Sequence, residues 1–168
     1  RLDNFISAFC FAFKGSELLV KKENNSVIIP TGEELLSFNI KPIREQDLGV
    51  KENKHYYSAE LSIDEEAPEG MTFVGLRQLF GVVDEEFFVH AGRAIQIVNW
   101  DKTHQFCGQC GTITNTAPNE YAKVCPSCGL INYPRISPAI IVAIVKDKEI
   151  LLARNAKSPY GFHSVLAG

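Results

Sequence analysis

Cys107, Cys110, Cys125 and Cys128 form two Cys-x-x-Cys pairs, each followed by a glycine, Gly111 and Gly129. Two-residue spacers let both sulfurs of a pair reach one ion at about 2.3 Å, and two such pairs complete a tetrahedron around zinc. A glycine after each second cysteine suits a knuckle that turns back with positive φ, so that backbone N–H groups face the sulfurs. The fourteen residues between Cys110 and Cys125 fall one short of the commonest range for this pattern but suffice for a small hairpin. Four thiolates leave no open coordination position, so the ion predicted here is a structural staple, and any chemistry must be sought elsewhere.

Other uses of cysteine fit less well. A disulfide framework belongs to short secreted chains, and the fifth cysteine, Cys10, lies apart in an apolar run over residues 9–13. A thioredoxin-like redox pair needs one Cys-x-x-Cys at a strand–helix junction, not two framed by Gly and Pro. His90 and His104 could ligate a metal, but four cysteines already fill the site, and both read as surface or capping histidines.

With 168 residues, of which 45% are hydrophobic, the chain has the composition of a globular protein with one large domain or two small ones. No apolar run reaches the length of a membrane-spanning helix. Reduced cysteines around zinc predict a cytoplasmic setting. The formal charge of −3 becomes about −5 once four thiolates and Zn²⁺ are counted, which disfavours non-specific nucleic-acid binding. Locally, Arg93, Lys102, His104, Lys123 and Arg135 gather near the cysteines, either as a phosphate-facing patch or as a solvated face.

The elements that must position these residues follow in order. The chain opens on Arg1 rather than Met, so its start reads as clipped. Residues 5–13 are rich in Phe and read as a buried strand. Residues 18–21 and 26–29 read as short strands around a turn at 22–25. Thr31 and Glu34 have capping-box spacing ahead of a short helix. Residues 43–50 are weakly patterned, 55–63 alternate as a strand, and 64–70 form a loop. Tyr56 and Tyr57 read as sheet surface and core. Thr72 is expected to open a helical region carrying Leu76, Leu79 and Phe80, ended by Gly81. Asp84 should cap a longer helix whose stripe of Phe87, Phe88, Ala91, Ala94, Ile95 and Val98 needs a partner surface. After the cysteines, Pro134 and Pro138 force an extended path that presents Tyr133 and Arg135 outward. Residues 139–145 read as one continuous strand, 149–154 as its antiparallel partner, 155–160 as a loop, and 163–167 as the start of another strand.

The ordered set Trp100, His104-Gln-Phe-Cys107-Gly-Gln-Cys110-Gly111, Cys125-Pro-Ser-Cys128-Gly129, Tyr133-Pro134-Arg135, Pro138-Ala139 and Ser164-Val-Leu-Ala-Gly168 resembles the NADH pyrophosphatases of the Nudix hydrolase superfamily, a group that also removes NAD caps from RNA. The likeness is clear over residues 72–168. Residues 1–70 are compatible with the family's divergent N-terminal domain but carry no motif of their own. The resemblance implies an α+β chain with an N-terminal mixed α/β domain at 1–103, a four-cysteine zinc ribbon at 104–133, and the first strands of a Nudix α/β/α sandwich at 134–168. It also implies a homodimer that splits NAD(H) into nicotinamide mononucleotide and AMP with Mg²⁺ or Mn²⁺.

By the same resemblance Tyr133 stacks on the base or nicotinamide ring, although it could equally pack between ribbon and sheet. Arg135 would contact a phosphate or form a domain-interface ion pair, and Ser164, Ala167 and Gly168 would line the substrate cleft. The Nudix box, with its catalytic glutamates, is expected beyond Gly168. Glu65–Glu66 and Glu85–Glu86 read as loop acids and a helix first turn, so no catalytic residue is assigned and the 168-residue chain is expected to be inactive alone. Two rival readings stand beside the enzyme: an RNA- or protein-binding zinc ribbon, and a dimerisation scaffold in which the helix stripe over 84–98 meets a second copy.

Overall fold

The computed structural model describes residues 7–23, 26–157 and 159–168. The chain divides into two units, Arg1–Pro134 and Arg135–Gly168. In the first, β1 (Phe9–Lys14), β2 (Glu17–Glu23), β3 (Ser26–Ile28), α1 (Gly32–Ser37), β4 (Arg44–Lys51), β5 (Lys54–Glu60), β6 (Met71–Gly75), α2 (Leu76–Leu79) and α3 (Glu85–Thr103) precede the ribbon strands β7 (Asn115–Thr116), β8 (Lys123–Val124) and β9 (Ile131–Asn132). Six strands make one sheet in the order β3-β2-β1-β5-β4, with β6 also on β2. The β1–β5 pair is parallel and the other pairs are antiparallel.

The alternation of β1 explains the layers. Successive side chains of a strand point to opposite faces, so Cys10 and Ala12 join a core with Leu19, Leu35 of α1, Tyr57 and Leu61. Phe11 and Phe13 join the other core with Leu18, Val20, Leu79, Ala91, Ala94 and Val98. The sheet is therefore sandwiched between α1 and the α2–α3 side, an α+β arrangement. The α3 stripe finds its partner in this chain's own sheet. The expectation that it mates with a second copy is corrected, because Ala91, Ala94 and Val98 are already buried there.

Both predicted caps are formed. Thr31 and Glu34 make the reciprocal capping box of α1, and the Asp84 carboxylate accepts from Phe87 N–H at 2.7 Å. His104 closes α3 as its C-cap, with Nδ1 2.8 Å from the Trp100 carbonyl oxygen.

Three expectations change. Residues 71–75 are strand β6, not helix: Thr72, Phe73 and Val74 suit an edge position on β2, and the spacing of Leu76 and Leu79 supplies only the single turn of α2. The weakly patterned 43–50 stretch is strand β4, its alternation broken by a register shift between Asp47 and Gly49. The strand expected at 5–13 is described from Phe9 onward, and its beginning at 5–6 lies outside the described residues. The same holds for 24–25 of the first turn and for 158 in the loop expected at 155–160.

In the second unit β10 (Ile141–Val142) pairs with β13 (Leu166–Ala167), and β11 (Val145–Lys146) pairs with β12 (Glu149–Ile150). The continuous strand expected at 139–145 is instead two short strands, because each has a partner only two residues long. Asp147 takes φ 53° in the tight turn between β11 and β12.

Candidate metal centre

The two knuckles repeat one local construction. In the first, Cys107 N–H donates to Thr112 O at 2.8 Å, Gly111 N–H donates to Cys107 O at 2.9 Å, and Gln109 N–H points at Cys107 Sγ from 3.4 Å. In the second, Cys125 N–H donates to Leu130 O at 2.9 Å, Gly129 N–H donates to Cys125 O at 3.0 Å, and Cys128 N–H points at Cys125 Sγ from 3.4 Å. Gly111 and Gly129 sit at φ 73° and 76°, the left-handed region where a side chain would be strained.

These turns bring four sulfurs together. All lie within 4.8 Å of one another, and three of the pairs are 3.4–3.6 Å apart. A tetrahedral zinc with bonds of about 2.3 Å places its sulfurs about 3.8 Å apart, so the donor set fits that ion. All four cysteines are free of disulfides.

Their electrostatics need a cation. Thr112, whose hydroxyl lies 3.3 Å from Cys110 Sγ, favours the thiolate and draws Cys110 down to about 6. The Cys128 backbone N–H likewise lowers Cys125. For Cys128 the Leu130 backbone favours the thiolate, but desolvation and the three neighbouring sulfurs outweigh it and push the thiol up to about 12. Sulfurs this close cannot all ionise against one another, and a dication removes that opposition.

The ribbon is tied to the sheet domain by charge. Lys123, on β8 two residues before Cys125, is buried and pairs with the buried Asp101 on the last turn of α3. Arg44 of β4 pairs with Glu60 of β5, Lys102 reaches Glu60 at 2.9 Å, and Lys123 Nζ donates to Thr116 Oγ1 at 2.8 Å. Removing one partner from such a group leaves an uncompensated buried charge, a costly state. Tyr121 adds a second tie: its hydroxyl donates to the Asp47 carbonyl, and the Arg93 guanidinium lies 5.7 Å from its ring centre.

The basic residues near the cysteines are thus largely engaged internally: Arg93 with Tyr121, Lys102 with Glu60, and Lys123 with Asp101. Lys123 is buried and so belongs to neither the phosphate-facing patch nor the solvated face that the sequence positions allowed. No short stretch of sequence contains this network. One signal pointed to it: Asp101 lies at the negative end of the α3 dipole, where a carboxylate is disfavoured unless cations hold it.

The residues expected to bind substrate fall in both units. Tyr133, 51% exposed, lies one residue before the end of the first, and the exposed Arg135 begins the second. Within the second unit Ser164 exchanges backbone hydrogen bonds with Ala153 at 2.8 and 2.9 Å. Ala167 stands opposite Ile141, and Gly168 exchanges backbone bonds with Ile140 at 2.9 and 3.1 Å.

Comparison with known proteins agrees with this architecture. Residues 7–100 match the model for the NADH pyrophosphatase-like rudimentary NUDIX domain, and residues 102–133 match the NADH pyrophosphatase zinc ribbon domain. The NAD-capped RNA hydrolase NudC of Deinococcus radiodurans is 46% identical over 112 residues, 64% of this chain and 40% of the relative. The proteins of that name from Pseudomonas fluorescens Pf0-1 and Pseudomonas aeruginosa LESB58 are 36% and 35% identical over 146 and 147 residues, 87% and 88% of this chain and 52% of each relative. The chain spans about half the length of the curated relatives it matches. A rudimentary Nudix domain followed directly by a four-sulfur ribbon is the combination these models describe, and the chain belongs to the zinc-ribbon NADH pyrophosphatase family of the Nudix superfamily.

Proposed function

We propose that this chain is part of a Nudix-type pyrophosphatase that hydrolyses NADH or NAD⁺ to nicotinamide mononucleotide and AMP and removes NAD caps from RNA. The observation that carries the reading is the four-sulfur cluster set within a segment that matches the NADH pyrophosphatase ribbon. Relatives named NAD-capped RNA hydrolases support the substrate class.

In this reading the domains are 1–103, 104–133 and 134–168. Zinc on Cys107, Cys110, Cys125 and Cys128 holds the ribbon folded. Tyr133 offers its ring to the base or nicotinamide, a low-entropy aromatic contact on a proline-stiffened segment. Arg135 provides a cation near phosphate or at an ion pair, and Ser164, Ala167 and Gly168 line the cleft. The working enzyme is a cytoplasmic homodimer, in keeping with ribbon cysteines that form no disulfide. No helix among the described residues is long and apolar enough to cross a membrane.

Cleaving a pyrophosphate calls for Mg²⁺ or Mn²⁺ held by clustered carboxylates, which neutralises the phosphates and activates water. Among the described residues only the four cysteines gather three or more metal-donor side chains. The 168-residue chain is therefore expected to release no AMP from NADH with Mg²⁺, whereas the product of the complete reading frame releases AMP and nicotinamide mononucleotide in equal amounts. Metal-dependent AMP release by the 168-residue chain, or none from the complete product, would refute the reading.

A further inference from the structure

We propose that the sheet domain carries a nucleobase-binding pocket, built from β1, β3, β5 and the first turns of α3. This goes beyond the pyrophosphatase reading and uses none of its residues. A cavity of about 340 Å³ is lined by five aromatic side chains: Phe9, Phe11, Tyr56, Phe87 and His90. Its size lies at the small end of the range for small-molecule sites.

The backbone explains why these rings converge. Phe9 and Phe11 stand on one face of β1, Phe9 pairs in register with Tyr56 of β5, and Phe87 and His90 are one helical turn apart on α3. Tyr56 stacks on Phe9 at 5.6 Å and on Phe11 at 6.1 Å, and it lies nearly parallel to His90 with centroids 6.3 Å apart. Phe9, Tyr56, Phe87 and His90 are only partly buried, so their faces still have apolar area to cover. A fully packed core would have consumed that area.

The rim selects among aromatic ligands. Lys54 supplies a cation, its Nζ 5.5 Å from the Phe9 ring centre, and Asp84 and Glu86 supply carboxylates. One Asp84 oxygen already accepts from Phe87 N–H, and one Glu86 oxygen already holds Lys51. Each carboxylate has a second oxygen that can accept from a ligand N–H. A mixed rim of this kind suits neither a bare polyanion nor a hydrocarbon. It suits a flat heteroaromatic ring with N–H donors on its edge and a phosphate held outside near lysine. A purine meets that description, and guanine, with adjacent N1–H and N2–H donors, meets it better than adenine. The base can arrive on a free nucleotide or in a single-stranded RNA, and stacking on aromatic faces serves both.

The test titrates the zinc-loaded 168-residue chain with GMP, AMP, UMP and a short guanine-containing single-stranded RNA, following backbone amide shifts. Saturable shifts centred on Phe9, Tyr56, Phe87 and His90 are expected, with GMP tighter than AMP and both tighter than UMP. Equal affinity for GMP and the RNA identifies a mononucleotide ligand, and tighter RNA binding identifies a base within a strand. His90→Ala should weaken GMP about tenfold by removing one aromatic wall, with zinc content and melting temperature unchanged. If that variant loses its fold, Glu86→Gln at the exposed rim replaces it and should erase the preference for GMP over AMP. Absence of saturable shifts in the millimolar range, shifts centred elsewhere, or unchanged affinities in the folded variant would overturn the proposal.

Discussion

Residues 9–20 and 136–152 draw on the same apolar alphabet and meet opposite fates. In the sheet domain Phe13, Leu18 and Leu19 are wholly buried. In the second unit Ile136 is 92%, Ile140 65% and Ile141 75% exposed. The difference lies in what the strands have to pair with. Strands β1, β2 and β5 have six or seven residues each and neighbours on both sides, with helices covering the faces. Among the described residues, strands β10 to β13 have two residues each and one neighbour apiece. An apolar run becomes a core only when a second layer covers it. Between these extremes stands the ribbon, where two-residue strands are held by four sulfurs and a buried ion network.

The largest effect should come from that intermediate region. Cys110→Ser, or stripping zinc with a strong chelator, removes a metal whose binding to small ribbons is worth on the order of 10 kcal/mol. Circular dichroism and thermal melting should show the ribbon lost and the melting temperature lowered by well over 10 °C, taking about 4–8 °C per kcal/mol as the scale for a small domain. An unchanged melt would mean that the thiols are not a folding element.

Next in size, the two apolar regions should respond differently to truncation. Phe13→Ala in the buried layer should cost about 3–5 kcal/mol in denaturant unfolding. Ile141→Ala should cost less than about 0.5 kcal/mol, the usual scale for an exposed position. Equal costs would dissolve the contrast between the two units.

Lys123→Met leaves Asp101 buried beside a weaker set of cations, and a loss of about 3 kcal/mol is expected. The double variant Lys123→Met with Asp101→Leu should recover much of it, because both charges are then gone. A double variant no more stable than Lys123→Met alone would show that the pair does not act as a unit.

The smallest effect concerns pH. Burial raises the Glu34 carboxyl, but its hydrogen bond with Lys21 and the capping contacts with Thr31 outweigh that and hold it below the ordinary carboxylate value. A depressed folded value means stability that is fully present above about pH 4.5 and is lost as pH falls through the folded value. Glu34→Gln should cost about 1 kcal/mol at pH 7, with the gap to wild type closing under acid. A gap independent of pH would remove the charge from the account.

What could be read from the sequence was local. The knuckles were legible because each two-residue spacer and its glycine lie within one turn of chain, and so were the caps at Thr31 and Asp84. The purpose of the α3 stripe was not, since only the fold shows that the sheet lies beneath it. Strand β4 hid behind the register shift at Gly49, which breaks the two-residue period. Strand β6 hid because Leu76 and Leu79 imitate a helix beginning earlier than it does. Lys123 read as a surface cation until Asp101, twenty-two residues earlier, was seen beside it. Contacts of that kind depend on topology, which no short window contains.

Four cysteines are expected to hold one structural zinc in this chain. Metal analysis of the purified chain, combined with X-ray absorption at the zinc edge, tests it most directly. One zinc per chain is expected, surrounded by four sulfurs at about 2.3 Å. A chain that folds with no bound metal, or with zinc bound by nitrogen and oxygen, would contradict it.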